Sequence, residues 1–171
     1  TDTEQACAQA GLTPVEDPTN DIDGPWRAAD GSPLRRSALR HRAIPALASA
    51  LGVDPVPALA RTSALCAQDD DALTAWAREL TGAARVADGR DLGEGGASVA
   101  LAVSLLRGAP RAVRTRTLRE AARAAGLRAL SSTHIDDLDD LVVAWRGQGP
   151  IHLPGGFASR VGRGERAQIL L

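Results

Sequence analysis

The chain has 171 residues, 44% of them apolar, and a net charge of −1, enough for one domain or two small ones around a buried core. All twenty basic residues are arginine, which excludes a lysine nucleophile or Schiff base. Cys7 and Cys66 form no CxxC and point to neither a zinc site nor a disulfide framework, and no apolar run approaches the roughly 18 residues of a membrane span, so a cytoplasmic setting without a membrane partner is expected.

Alanine and leucine dominate, and both favour helix, so a mainly α fold is the first expectation. Residues 3–11 read as a short helix ending at Gly11. A polar loop, 12–33, follows, containing Asp17-Pro18-Thr19-Asn20 and Trp26; loops of that length tend to be functional or disordered. Pro18 presets its own φ and pushes Asp17 out of the helical region. The next helix is predicted to start with Ser32 as cap and Pro33 in its first position, and Pro45 should kink or interrupt it. Arg36, Arg40, Ile44, Leu47 and Leu51 share one face. Two arginines thus prolong an apolar stripe, where a charge calls for a carboxylate or phosphate.

From Asp54 to about Gly82 the spacing predicts a long helix, with Leu59, Cys66, Leu73 and Leu80 seven residues apart and Trp76 and Ala77 widening the seam. That pattern implies packing against another long helix within the chain. Gly-rich residues 87–96 read as a linker. A short helix is predicted over 98–107 and another over about 110–125, with Leu118, Ala121, Ala122 and Ala125 inward and Arg116, Arg119 and Arg123 outward. Ser132 or Thr133 should cap a helix striped by Ile135, Leu138, Val142 and Trp145. Two or three short strands in a hairpin arrangement should form around Gly155-Gly156 and Gly162–Gly164. The fold class expected is mainly α: a helical domain with a long heptad-patterned helix over 1–86, the linker, then a small α+β unit over 97–171 ending in a short hairpin.

The near-zero net charge conceals basic islands. Residues 31–61 hold five arginines and one aspartate, and residues 107–128 hold seven arginines and one glutamate. Such islands can bind a polyanion although the whole is neutral. Asp136, Asp137, Asp139 and Asp140 lie in the first turns of a helix, where the dipole favours negative charge; they read as a solvated face, and no metal site is expected. Gly93–Gly96 lacks phosphate-loop spacing, and no catalytic triad is visible. The bland reading of the arginine block is a solvated helix face.

"LTPVEDPTN", then "RRSALRHRAIPAL" and "ARTSALCAQDDDAL", and further on "RTRTLREAARAAG", "STHIDDLDDLV" and "GQGPIHLPGGF", together resemble the tRNA(Ile)-lysidine synthase family in the part after its ATP-binding domain, in members of actinobacterial type. The resemblance covers almost the whole chain in order. It implies an enzyme that activates the wobble cytidine of an isoleucine tRNA with ATP, then joins free lysine to it. The SGGxDS and HHxDD-type motifs of that family are absent here, so no catalytic residue is expected in this chain, and ATP and Mg would be held by the preceding domain.

By the same resemblance Asp17, Asn20, Arg36 and Arg40 belong to the junction with that domain, with Ser37 standing where the family usually has asparagine. Arg111, Arg114, Arg116, Arg119 and Arg123 are expected to bind tRNA(Ile). Lysine and ATP would be partners of the whole enzyme, with homodimerisation a further possibility. The competing expectation is a non-catalytic helical module whose arginines bind acidic protein surfaces.

Overall fold

The structure, a computed structural model, describes residues 2–86 and 99–171. The linker expected at 87–96 lies outside the described residues. By its internal contacts the chain divides into two compact units, residues 1–64 and 65–171.

In the first unit, α1 (Asp2–Gln9) ends as expected, with Gly11 in the left-handed region and its N–H bonded to the carbonyl of Ala8. The loop after it is built rather than open. Pro18–Asn20 form a single 3₁₀ turn capped by the Asp17 carboxylate. The chain then curls back so closely that a β-carbon on Gly24 would lie 2.1 Å from the carbonyl oxygen of Pro18, so only glycine fits there.

The helix expected from Pro33 begins two residues later, at Arg35, with Leu34 in the cap position and no side-chain cap. Ser32 is engaged elsewhere: its N–H and hydroxyl both donate to Asp30, and Pro33 bridges Arg27. This local turn outcompetes helix capping. The helix runs as α2 (Arg35–Ala38), a π-turn over Leu39–Ala43, and α3 (Ile44–Leu51). Pro45 explains the wide turn. It has no N–H and its ring crowds the preceding carbonyls, and widening one turn accommodates both without breaking the helix.

The long helix, α4 (Val56–Ala84), is present, and the Asp54 carboxylate accepts the N–H of Val56 at its start. Its heptad does not find a second long helix. Among the described residues Leu59, Leu65 and Cys66 are exposed, and only Ala77 and Ala84 of this helix are buried, with Leu73 and Leu80 partly so. What lies beside its C-terminal half is a shorter helix, α6 (Arg111–Ala124): Thr117 donates its hydroxyl to the carbonyl of Ala77 at 3.1 Å. Seven-residue spacing reports a face that is apolar, and here that face is covered only where α6 reaches it.

The second unit holds the main core. β1 (Ala100–Ala102) stands where helix was expected, and α5 (Val103–Gly108) starts after it. The strand forms because the chain's last residues supply its partner: β4 (Gln168–Leu170) pairs with it antiparallel, in the sheet order β1-β4-β3-β2 with β3 Gly156–Val161 and β2 Ile151–Leu153. No local pattern in the sequence reveals a partner some 70 residues away. α7 (Ser132–Val143) is capped one residue earlier than expected, by Ser131. The Ser131 hydroxyl accepts the N–H of His134 while His134 Nδ1 accepts the N–H of Ser131, a reciprocal box that satisfies two helix-end donors.

Leu101, Leu106, Leu118, Leu138, Leu141 and Ile169 are fully buried where α5, α6, α7 and the sheet meet. Into the same interior come Arg114 of α6 and Asp139 of α7, paired through Nε–Oδ1 at 2.5 Å and Nη2–Oδ2 at 3.1 Å. Asp139, 5% exposed, is therefore not part of a solvated acidic face. Removing one partner of a buried pair strands the other charge, at about 3–5 kcal/mol. Asp139→Ala should lower the urea-unfolding free energy by about that much, with Trp145 fluorescence as the probe. Replacing both residues, Arg114→Met with Asp139→Leu, should recover most of the loss.

Candidate nucleic-acid interface

Two clusters gather the residues singled out in the sequence. In the first unit, the Asp17–Asn20 turn is fastened to α2 and the π-turn after it. Asp17 accepts the N–H and the hydroxyl of Thr19, at 2.9 and 2.7 Å. Arg36 donates to the Thr19 hydroxyl and stands 3.8 Å from Asp17. The Ser37 hydroxyl, buried, donates to the Thr19 carbonyl at 3.0 Å, and His41 Nε2 lies 2.9 Å from the Asn20 carbonyl. The turn therefore positions side chains as well as reversing the chain.

Asn20, Arg36, Ser37, Leu39, Arg40 and Ile44 line one shallow cleft of about 330 Å³. Thus the structure brings Asn20, Arg36 and Arg40 together, with Asp17 behind Arg36. Thr19 and His41 were missed as members of this fastening. Their spacing to Asp17 and Asn20 held no signal, because the contacts join the turn to a helix some twenty residues on.

In the second unit α6 is two-sided. Val113, Thr117, Leu118, Ala121 and Ala122 are buried together with Arg114. Arg116, Arg119 and Arg123 lie on the other side and line a groove of about 520 Å³ with Thr74, Arg78, Thr115 and Glu120. Arg119 and Arg123 also line an adjoining cleft of about 430 Å³ with Leu127, Arg128, Ala129 and Leu130.

The five arginines grouped in the sequence thus separate. Arg114 is held by Asp139 and by the Ala109 carbonyl at 2.7 Å. Arg111 is exposed and bonded to Asp136 at 2.6 Å. Arg116 reaches Asp70 of α4 at 2.6 Å. Arg119 makes only a long bond, 3.4 Å, to the Leu130 carbonyl, and Arg123 is exposed with no carboxylate partner among the described residues. Arg78 and Arg128 join this surface unanticipated. Asp70, Thr74 and Arg78 recur every four residues on α4, so a face was legible, but which helix it would meet was not.

Residues 101–164, which run from β1 to the turn after β3 and include all of α6, match the family described as TilS substrate binding domain. Over most of its length the chain is similar to proteins named tRNA(Ile)-lysidine synthase. It is 41% identical over 158 residues to the one from Streptomyces coelicolor, covering 91% of this chain and 40% of the relative. With the Thermobifida fusca protein it shares 38% over 169 residues, 98% of this chain and 45% of the relative. With that of Rhodococcus erythropolis it shares 34% over 171 residues, 99% and 46%.

The chain is related to the C-terminal part of the tRNA(Ile)-lysidine synthases. It spans less than half the length of these relatives. The expected resemblance is borne out, and the matched residues, 101–164, include Arg116, Arg119 and Arg123.

The Asp17 carboxyl is held below the ordinary carboxylate range, first by the Thr19 N–H, then by the Thr19 hydroxyl and the Arg36 charge. A lowered carboxyl stabilises the folded turn above its unfolded pKa, and that contribution is lost as pH falls through the folded pKa. Carboxyl NMR should place the Asp17 midpoint below that of a model aspartate. Thr19→Ala should move it back up, and the exchange protection of the Asn20 amide should fall with it.

Proposed function

We propose that this chain is the tRNA-binding part of a tRNA(Ile)-lysidine synthase, the enzyme that uses ATP to join lysine to the wobble cytidine of isoleucine tRNA. The observation that carries the reading is the outward face of α6: Arg116, Arg119 and Arg123, with Arg78 of α4, line one groove inside or beside the matched substrate-binding span. Guanidinium groups suit phosphate oxygens, and several together release counterions when they bind RNA. Such contacts hold the RNA in place without reading its sequence, so choice of one tRNA needs further contacts.

Arg114 has a different part. Its charge is committed to Asp139, and it supports the helix that presents the others. Asp70 and Glu120 temper the groove. An exposed ion pair such as Arg116–Asp70 is worth about 0–1 kcal/mol, so phosphate can displace the carboxylate. Asp17, Asn20, Arg36 and Arg40 would form the junction with the ATP-binding domain, where ATP, magnesium and lysine are held. This chain carries no nucleotide-binding motif of its own, and adenylation needs positioning and charge neutralisation together. The purified chain should therefore bind tRNA without lysine- and ATP-dependent modification of it, checked by incorporation of labelled lysine.

Replacing Arg116, Arg119 and Arg123 together with glutamine should leave α6 folded, since glutamine is nearly as good a helix former. Binding should weaken similarly for cognate and non-cognate tRNA. The slope of log affinity against log salt should flatten by up to about three units. Unchanged affinity and slope would make the face an ordinary solvated one. Tight binding to acidic proteins but not to tRNA would favour the protein-interaction reading.

A further inference from the structure

The cleft at the C-terminal end of α6 differs in chemistry from the groove beside it. Arg119, Arg123 and Arg128 bring three guanidinium groups to its rim, and Leu127, Ala129 and Leu130 make up the rest of its lining. No carboxylate lines it, whereas Glu120 lines the neighbouring groove. None of the three arginines has an ion-pair partner among the described residues. Three like charges converging without compensation favour an anion of more than one charge. The volume, about 430 Å³, lies within the range of about 300–1,000 Å³ typical of small-molecule sites.

The wall is also held in an unusual form. Ala129 has φ 56°, the only non-glycine residue with positive φ among the described residues. Alanine seldom adopts that conformation, and strained backbone of this kind persists where its surroundings over-determine it. Here Gly126, φ 85°, ends α6 and turns the chain, Leu127 is buried in the core, and the Ser131–His134 box fixes the start of α7. Arg128, Ala129 and Leu130 are stretched between these anchors. The result is a cleft in which three arginines flank Ala129 and Leu130.

We propose that this cleft receives one unpaired nucleotide unit, its phosphate on Arg119, Arg123 and Arg128 and its base and ribose against Ala129 and Leu130. The proposal rests on the reading of the chain as an RNA-binding part and deepens it: the groove takes phosphates of a paired stem, and the cleft takes a nucleotide that has left the stack. An extruded base needs an apolar or planar surface to replace its stacking neighbours, and Ala129 and Leu130 supply one beside charges that no carboxylate compensates.

The test titrates the 171-residue chain with two RNAs of equal phosphate number. One is a fully paired duplex, and the other carries a two-nucleotide bulge containing 2-aminopurine. The chain should bind the bulged RNA about tenfold more tightly than the duplex, with a change in 2-aminopurine emission. Arg128→Gln should weaken the bulged RNA more than the duplex, removing the preference and the emission change. Arg78→Gln, outside the cleft, should weaken both RNAs alike and keep the preference.

Equal loss of both RNAs in Arg128→Gln, or no preference for the bulge, would overturn the cleft and leave the RNA-binding reading standing. Absence of salt-sensitive binding to either RNA would sink both. Cytidine monophosphate decides the source of the nucleotide. Selective competition with the bulged RNA only at far higher concentration than the RNA itself supports a unit within a strand, and equal affinity supports a free nucleotide in the same cleft.

Discussion

The buried pair between Arg114 and Asp139 is the constraint on which the second unit turns. It ties α6 to α7 inside the core, and a bidentate guanidinium–carboxylate contact tolerates little rotation of either helix. Once Arg114 points inward, helical geometry sends Arg116, Arg119 and Arg123 outward. A single residue out of register would bury a different arginine, with no carboxylate to receive it. The interior ion pair thus decides which charges the surface displays. Arg111 stands 3.7 Å from the same carboxylate at the surface and extends the tie to the edge of the unit.

Arginine is used here in several physically distinct ways, and a count of charges along the chain does not separate them. Arg107 and Arg160 donate to the last carbonyls of α7: Arg107 to Val142, and Arg160 to Leu141 and Val142 at 2.9 and 3.1 Å. Cations at a helix C-terminus oppose the dipole and satisfy carbonyls that have no intrahelical partner. Arg160 also lies over the Trp145 ring, 4.9 Å from its centre, and burial, then the nearby Arg107, pull its pKa down. These arginines hold the fold together. Arg119 keeps one long bond, to the Leu130 carbonyl, but neither it nor Arg123 nor Arg128 has a carboxylate partner among the described residues, and that lack sets the three apart as available for an anion.

Most of the α-helical layout was legible because periodicity is local. The inward and outward faces of α6, the stripe of α7 and the stop at Gly11 follow from spacing and turn chemistry alone. What stayed hidden depends on partners distant in sequence. β1 looks like the start of a helix until β4 arrives to pair with it. The heptad of α4 identifies an apolar face but not the short helix that covers part of it. Asp139 reads as one of four solvated carboxylates until Arg114 is placed opposite. At the candidate site, Arg116, Arg119 and Arg123 were visible as a face, whereas Arg78 and Arg128 join it only through the packing of α4 and through the bend after α6. The helix start at Arg35 was missed for a local reason, since Asp30 and Pro33 both held plausible turn roles and only one arrangement uses the Ser32 donors.

The sheet order has a topological corollary. β1 and β4 are neighbours, and Val99 and Leu171 exchange backbone hydrogen bonds, at 3.4 and 3.0 Å. The stretch from 99 to 171 is therefore nearly a closed ring in space, with its two ends zipped side by side. β1 has β4 as its strand partner, and Ile169 of β4 is fully buried, so removing β4 would leave β1 without a strand partner and open the core. The sheet is completed only by a pairing some 70 residues apart in sequence, so the core that carries the arginine face closes late in folding, after its helices have formed.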